Sequence, residues 1–438
     1  GRQCCAARAN NAAPRRELSG TEFDLVVEEL PVNFTGRTRR AVAVNGQVPA
    51  PLLRWREGDN VTLRVTNRLK TPTSIHWHGL ILPNNMDGVP GMTFDGIAPG
   101  TTFTYHFPVR QSGTYWYHSH SGFQEQSGHY GPILIEPRKP DPNPSERDYV
   151  VVLSDWSDES PERVFGNLKK MDGYYNYAQP TALDFVQQAR QEGFLKALSF
   201  RAMWDEMRMS PRDLADVSAA TYTYLMNGAT PAGNWTALFR RGERVRRRFI
   251  NAAAMSYFDV RIPGLGMSVV SADGQDVRPV EVDEFRIGVA ETYDVIVTPK
   301  DDVAYTIFAQ SADRSGYARG SLAPRAGLTA PIPALDPVPT LNMADMGMSH
   351  GMGHQHGADM GGAPDTKTDH SGHDMGAMSG METGGAQAPA GAEGGMLTVT
   401  RHPATEQGPG VAMPASMVST RLDDPGVGLR DNGRRVLT

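Results

Sequence analysis

The chain has 438 residues, 39% hydrophobic and 21% charged, with a formal net charge of −6. That length allows roughly two to three domains with large cores. The acidic balance argues against nucleic acid as a partner, and no run of about 18 apolar residues exists to span a membrane as a helix.

Residues 1–17 carry Arg2, Arg8, Arg15 and Arg16 without an apolar stretch. They do not form an intact signal peptide and are expected to be a disordered tail. Cys4 and Cys5 are the only cysteines. Adjacent cysteines bridge only in strained geometry, so no structural role is expected for them. Residues 6–438 therefore hold no thiolate for a blue-copper site, which needs two histidines and a cysteine.

From 18 to 138 the pattern is all-β. Alternating runs such as Val61-Thr62-Leu63-Arg64-Val65 are punctuated by Asn45-Gly46, Asp87-Gly88, Pro99-Gly100 and Ser112-Gly113, which predicts a Greek-key β-sandwich. Within it stand two histidine pairs, His76-Trp77-His78 and His118-Ser119-His120. In an extended chain residues i and i+2 share a face. His76 and His78 then oppose Ile75 and Trp77, and His118 and His120 oppose Tyr115 and Tyr117. One such pair is a weak signal. Two pairs, both aromatic-flanked and both followed by glycine (Gly79, Gly122), predict a shared metal site. Imidazole suits copper, zinc, iron and nickel, so ligand type leaves the metal open. His106 reads as a strand residue and His129 as a loop residue, neither a ligand.

After a linker at 137–147, a second β pattern occupies 148–315 and contains no histidine. A helical insertion is expected over 182–215, where Phe185, Ala189, Phe194, Leu198 and Met203 recur at loosely helical intervals. Met203, Met207 and Met209 cluster at its end, with core packing favoured over copper contact. The basic run Arg244 to Arg248 reads as a solvated strand face.

The last segment, 324–438, is rich in Pro, Met, His and Gly and reads as a disordered linker. Residues 343–396 hold nine of the 20 methionines and five of the 12 histidines. Thioether sulfur favours Cu(I), and imidazole accepts either copper oxidation state. Met346, Met348, Met352, His350, His354 and His356 are thus candidate copper ligands in a flexible collector.

The runs Ser74-Ile75-His76-Trp77-His78-Gly79 and Ser112 to Gly122, followed by Gln124-Glu125-Gln126, together with Asp87-Gly88-Val89-Pro90-Gly91 and the Met/His tract, resemble the multicopper oxidases, specifically their periplasmic copper-resistance branch. The resemblance extends over most of residues 18–438. It implies tandem cupredoxin-like domains and copper as cofactor, with His76 at a type 2 copper and His78, His118 and His120 at a type 3 pair. It also implies reduction of O2 to water with electrons from Cu(I) or phenols. The family's H-x-x-H-x-H and H-C-H motifs, which supply the other cluster histidines and the type 1 site, do not occur here. A third cupredoxin domain is therefore expected to be absent, and this chain alone to be incomplete and inactive. A non-catalytic periplasmic protein that sequesters copper is the rival reading, and a zinc or iron site in an unrelated sandwich a third.

Overall fold

Alternation with period two builds two β-sandwiches in series. The computed structural model describes residues 16–341 and 432–437. Cys4 and Cys5 lie outside the described residues, as do Met346, Met348, Met352, His350, His354 and His356.

The first sandwich comprises β1 (Glu17–Ser19), β2 (Glu22–Val32), β3 (Arg39–Val44), β4 (Leu52–Arg56), β5 (Asn60–Asn67), β6 (His76–His78), β7 (Thr102–Pro108), β8 (Gly113–His118) and β9 (Tyr130–Glu136). One sheet has the order β1-β4-β9-β8-β6 and the other β3-β2-β5-β7. On β2 and β5, Phe23, Leu25, Val27, Val61, Leu63 and Val65 are buried, while Asp24 and Arg64 between them pair at the surface. The inward side chains meet Leu53, Trp55, Trp77, Tyr117 and Ile133 of the facing sheet, as sandwich packing requires. Strand formation begins at Glu17, inside the expected tail.

The second sandwich starts with β10 (Arg147–Ser157), continues through α1 (Pro161–Leu168), α2 (Ala182–Glu192) and α3 (Phe194–Glu206), and resumes with β11 (Tyr222–Met226), β12 (Trp235–Leu238) and β13 (Val245–Asn251). Then come β14 (Phe258–Arg261), β15 (Met267–Ala272), β16 (Gln275–Val282), β17 (Glu284–Ile287), β18 (Thr292–Val297), β19 (Tyr305–Ser311) and β20 (Tyr317–Ala323), with β21 (Val436–Leu437) at the end. Its sheets run β11-β10-β13-β18-β15-β16 and β12-β20-β19-β14-β17-β21.

The expected helical insertion is present as two helices, because Gly193 at φ +94 closes α2 and opens α3, and helix ends at Glu206. The linker expected throughout 324–438 gives way at β21, which pairs in parallel with β17 and is clamped by Arg435 to Asp283 (2.8 Å) and by Arg434 to Glu284 (3.2 Å) and Asp336.

The basic run expected on a solvated face is buried at Arg246, Arg247 and Arg248, while Arg244 is exposed. β13 is a central strand between β10 and β18, and every residue from Val245 to Asn251 is buried, so side chains on both of its faces are covered. Arg248 bonds Asp294 (2.7 Å), Asp148 (2.8 Å) and Thr114 of the first sandwich (3.0 Å). Arg246 bonds Asp141 (2.7 Å). Arg247 points the other way, its guanidinium 4.6 Å from the centre of the Tyr149 ring, and burial pushes its pKa down to about 9.

Candidate metal centre

The whole of β6 is His76-Trp77-His78, an edge strand paired antiparallel to β8 with His76 opposite His118, Trp77 opposite Tyr117 and His78 opposite Trp116. Trp77 and Tyr117 are both fully buried in the sandwich core. Because side chains alternate across a strand, fixing these two aromatics inward turns His76, His78 and His118 to the opposite face together. Trp116 joins them there and stacks on His118 with ring centres 4.1 Å apart.

The four histidines come together. Ring centres lie 5.6 Å apart for His76 and His78, 5.5 Å for His76 and His118, 4.8 Å for His76 and His120, 5.5 Å for His78 and His118, and 4.8 Å for His118 and His120. One ligand atom from each of His76, His118 and His120 falls within 4.8 Å of the others, and Nδ1 of His78 is 3.4 Å from Nε2 of His118.

His120 arrives by a different route from the one expected. β8 stops at His118, so His120 reaches the cluster from the following loop. That loop is stitched down locally: the His120 N–H donates to Ser74 Oγ (3.0 Å), and the hydroxyls of Thr73 (2.6 Å) and Ser119 (2.9 Å) both donate to Gln124 Oε1.

Two acceptors fix the protons on the rings. Nδ1 of His76 is 2.7 Å from the Asp87 carbonyl, and Nδ1 of His118 is 2.8 Å from Glu125 Oε2. Neither oxygen can donate, so each Nδ1 carries the hydrogen and each Nε2 presents a lone pair. The Asp87 carbonyl reaches His76 because Gly88, at φ +85, lies against the Ile75 backbone. A Cβ on Gly88 would sit 1.8 Å from the Ile75 carbonyl oxygen. Burial lowers the pKa of His76 and His120 and pushes that of His78 down to about 4. These rings are therefore neutral near pH 7, the form that binds metal. Neutral imidazoles at His76, His78 and His120, with the tautomers of His76 and His118 fixed from behind, suit a copper ion.

Asp87 and Glu125 belong to runs that stand out in the sequence, but their roles as hydrogen-bond partners of the ring nitrogens follow only from the fold. His106 lies on β7, bonded to Thr62 at 2.9 Å and away from the cluster. His129 precedes β9 and is fully buried, with both ring nitrogens lacking a partner among the described residues.

The second sandwich braces the site. Thr114 Oγ1 donates to Asp294 (2.7 Å), Thr292 Oγ1 donates to the Thr114 carbonyl (3.1 Å), and Tyr222 donates to Gln126 (2.6 Å). A cleft of about 330 Å³ between the two sandwiches is lined by His78 and Trp116 on one side and Asp273, Ala290 and Glu291 on the other.

Matches to the multicopper oxidase family span residues 26–140 and 147–326. The chain belongs to the multicopper oxidase family, whose members are copper-dependent oxidoreductases with cupredoxin-like domains. Within it the chain is similar to copper-resistance proteins. It is 54% identical to Copper resistance protein A of Escherichia coli, over 99% of this chain and 73% of that one. It is 56% identical to Copper resistance protein A of Pseudomonas syringae pv. tomato, over 96% and 71%. Among solved structures, the laccase from Botrytis aclada superposes with a TM-score of 0.55 at 28% identity, covering 76% of this chain and 57% of that one. The Blue Copper Oxidase from Nitrosomonas europaea gives 0.53 at 26%, covering 70% and 86%.

Proposed function

We propose that the chain is a copper-resistance oxidase of the periplasm that takes electrons from Cu(I), and secondarily from phenols, and passes them to O2 to form water. The observation that carries this reading is the convergence of four imidazoles, with every measured ring separation at or below 5.6 Å. His76 would hold a type 2 copper, and His78, His118 and His120 a type 3 pair. Copper bound there would supply the one-electron steps needed to reduce O2. The protein's own part is preorganisation: the Asp87 carbonyl and the Glu125 carboxylate keep protons on Nδ1, Trp116 holds the His118 ring by stacking, and the cleft beside His78 gives a small molecule access.

The four imidazoles are half of a trinuclear donor set, and the cysteines of these 438 residues are Cys4 and Cys5 alone. Without a type 1 copper to collect electrons, this chain on its own would bind copper and turn over negligibly. The Met/His enrichment of residues 343–396 favours copper sequestration as the alternative role. Metal analysis of the purified chain beside an O2-uptake assay with Cu(I) tests both. More than one copper per chain with O2 consumption at the blank rate is expected. Sustained uptake of O2 would refute the incompleteness, and failure to take up copper would sink both readings.

A further inference from the structure

The second sandwich contributes no histidine to the cluster, yet it reaches the His118 ring through a single turn of the first. Across residues 123–128 the Ser127 N–H donates to the Phe123 and Gln124 carbonyls (both 3.1 Å) and the Gly128 N–H to the Glu125 carbonyl (3.0 Å). The His129 N–H closes the turn on the Gln124 carbonyl (3.0 Å). With its backbone groups paired in this way, the turn moves as a unit.

Three consecutive side chains leave that turn for three different partners. Gln124 holds the first sandwich, donating to the Pro72 carbonyl (2.8 Å) and accepting from Thr73 and Ser119. Glu125 Oε2 holds Nδ1 of His118 (2.8 Å). Gln126 holds the second sandwich: its Oε1 accepts from the Tyr222 hydroxyl (2.6 Å), and its Nε2 faces the Asp155 carbonyl (3.3 Å) and Oδ1 (3.4 Å). A carbonyl can only accept, so the amide must turn its nitrogen to Asp155 and its oxygen to Tyr222.

Neither partner of Gln126 is free to yield. Asp155 lies on β10, where its carboxylate accepts from the N–H groups of Ala254 (3.0 Å), Met255 (3.2 Å) and Ser256 (3.2 Å) and from the Ser256 hydroxyl (2.8 Å). Tyr222 lies on the neighbouring strand β11, opposite Ser157, and its ring is buried in the core of the second sandwich. At the other end of the turn, Phe123 packs on Phe165 of α1 with ring centres 5.4 Å apart. Glu125 is thus carried on a turn tied to both sandwiches. The strength of its bond to Nδ1 governs how well the opposite nitrogen of His118 donates to a metal.

We propose that Tyr222 and Asp155 are positioning residues of the histidine cluster: acting through Gln126, they hold Glu125 on the His118 ring, so that the second sandwich sets how tightly the cluster binds copper. The proposal rests on the reading that the four histidines hold copper. Its test is a double-substitution cycle on the full chain, with Cu²⁺ and a competing chromophoric chelator, in the parent, Tyr222→Phe, Glu125→Ala and the pair. Tyr222→Phe deletes one hydroxyl and keeps the ring in the core. It should weaken binding about three- to tenfold in the parent, less than the roughly tenfold or more of a direct ring partner, and leave the Glu125→Ala protein unchanged, because the link it acts through is already gone. An equal loss in both backgrounds, as a loosened junction between the sandwiches would give, overturns the proposal, and so does no loss in the parent. Gln126→Leu cuts the same link from the first sandwich and decides the matter should Tyr222→Phe fail to fold. A parent that takes up no Cu²⁺ sinks the copper reading and the proposal together, whereas a parent that binds it and is indifferent to Tyr222→Phe sinks the proposal alone.

Discussion

Replacing His129 with leucine should flatten the acid limb of the protein's stability curve. His129 is fully buried with neither ring nitrogen bonded among the described residues, and burial pushes its pKa from 6.5 down to about 3. The unfolded chain protonates this ring below about pH 6.5, whereas the folded protein resists until about pH 3. Between those limits the unfolded state binds the extra proton, so stability is fully present above 6.5 and is lost as pH falls. The loss is about 1.4 kcal/mol for each pH unit, or about 2.7 kcal/mol by about pH 4.5. Urea unfolding of the metal-free protein, followed by tryptophan fluorescence at about pH 7 and about pH 4.5, measures it. His78 and the other titrating groups remain in both proteins and cancel in the difference. The His129→Leu variant should lose about 2–3 kcal/mol less than the parent over this interval. Equal losses would show that the ring is protonated or hydrated in the folded state, contrary to the argument.

Three further outcomes follow from the site and its supports. Glu125→Gln removes the carboxylate that fixes the His118 tautomer and should weaken copper binding about 10- to 100-fold; competition with a chromophoric chelator reads this, and an unchanged affinity would make the contact incidental. Gly88→Ala forces a Cβ into the Ile75 carbonyl, so the variant should lose copper uptake at the cluster as the Asp87 loop is driven off His76, with metal stoichiometry as the check. Asp294→Ala removes one of the two carboxylates on Arg248 and the acceptor of the Thr114 hydroxyl at the buried junction of the two sandwiches, leaves Arg248 on Asp148, and should destabilise by about 1–3 kcal/mol; no shift in denaturant unfolding would mean that the junction is hydrated.

How much of this was legible beforehand depended on range. The facing of His76, His78 and His118 is local, because period-two alternation sets Trp77 and Tyr117 inward whatever the strands pair with. The antiparallel pairing of β6 with β8 joins residues about forty positions apart, and only that register explains why the pairs meet. The end of β8 at His118, which leaves His120 to a loop, depends on bonds to Ser74 that alternation cannot foresee. The Arg244–Arg248 run has the same pattern on a solvated strand as on a central one, and its partners Asp148 and Asp294 are 100 and 46 residues away. α1 was missed although Ser160 before Pro161 is a helix-start signal, its hydroxyl accepting from the Arg163 N–H. β21 has two residues and no periodicity to read.

Electron paramagnetic resonance of the chain loaded with a single equivalent of Cu²⁺ shows whether His76, His78, His118 and His120 form one copper site. Superhyperfine splitting from several imidazole nitrogens is expected, lost or reduced in His76→Ala and in His118→Ala alike. A spectrum that both substitutions leave unchanged would place the copper elsewhere and contradict the account.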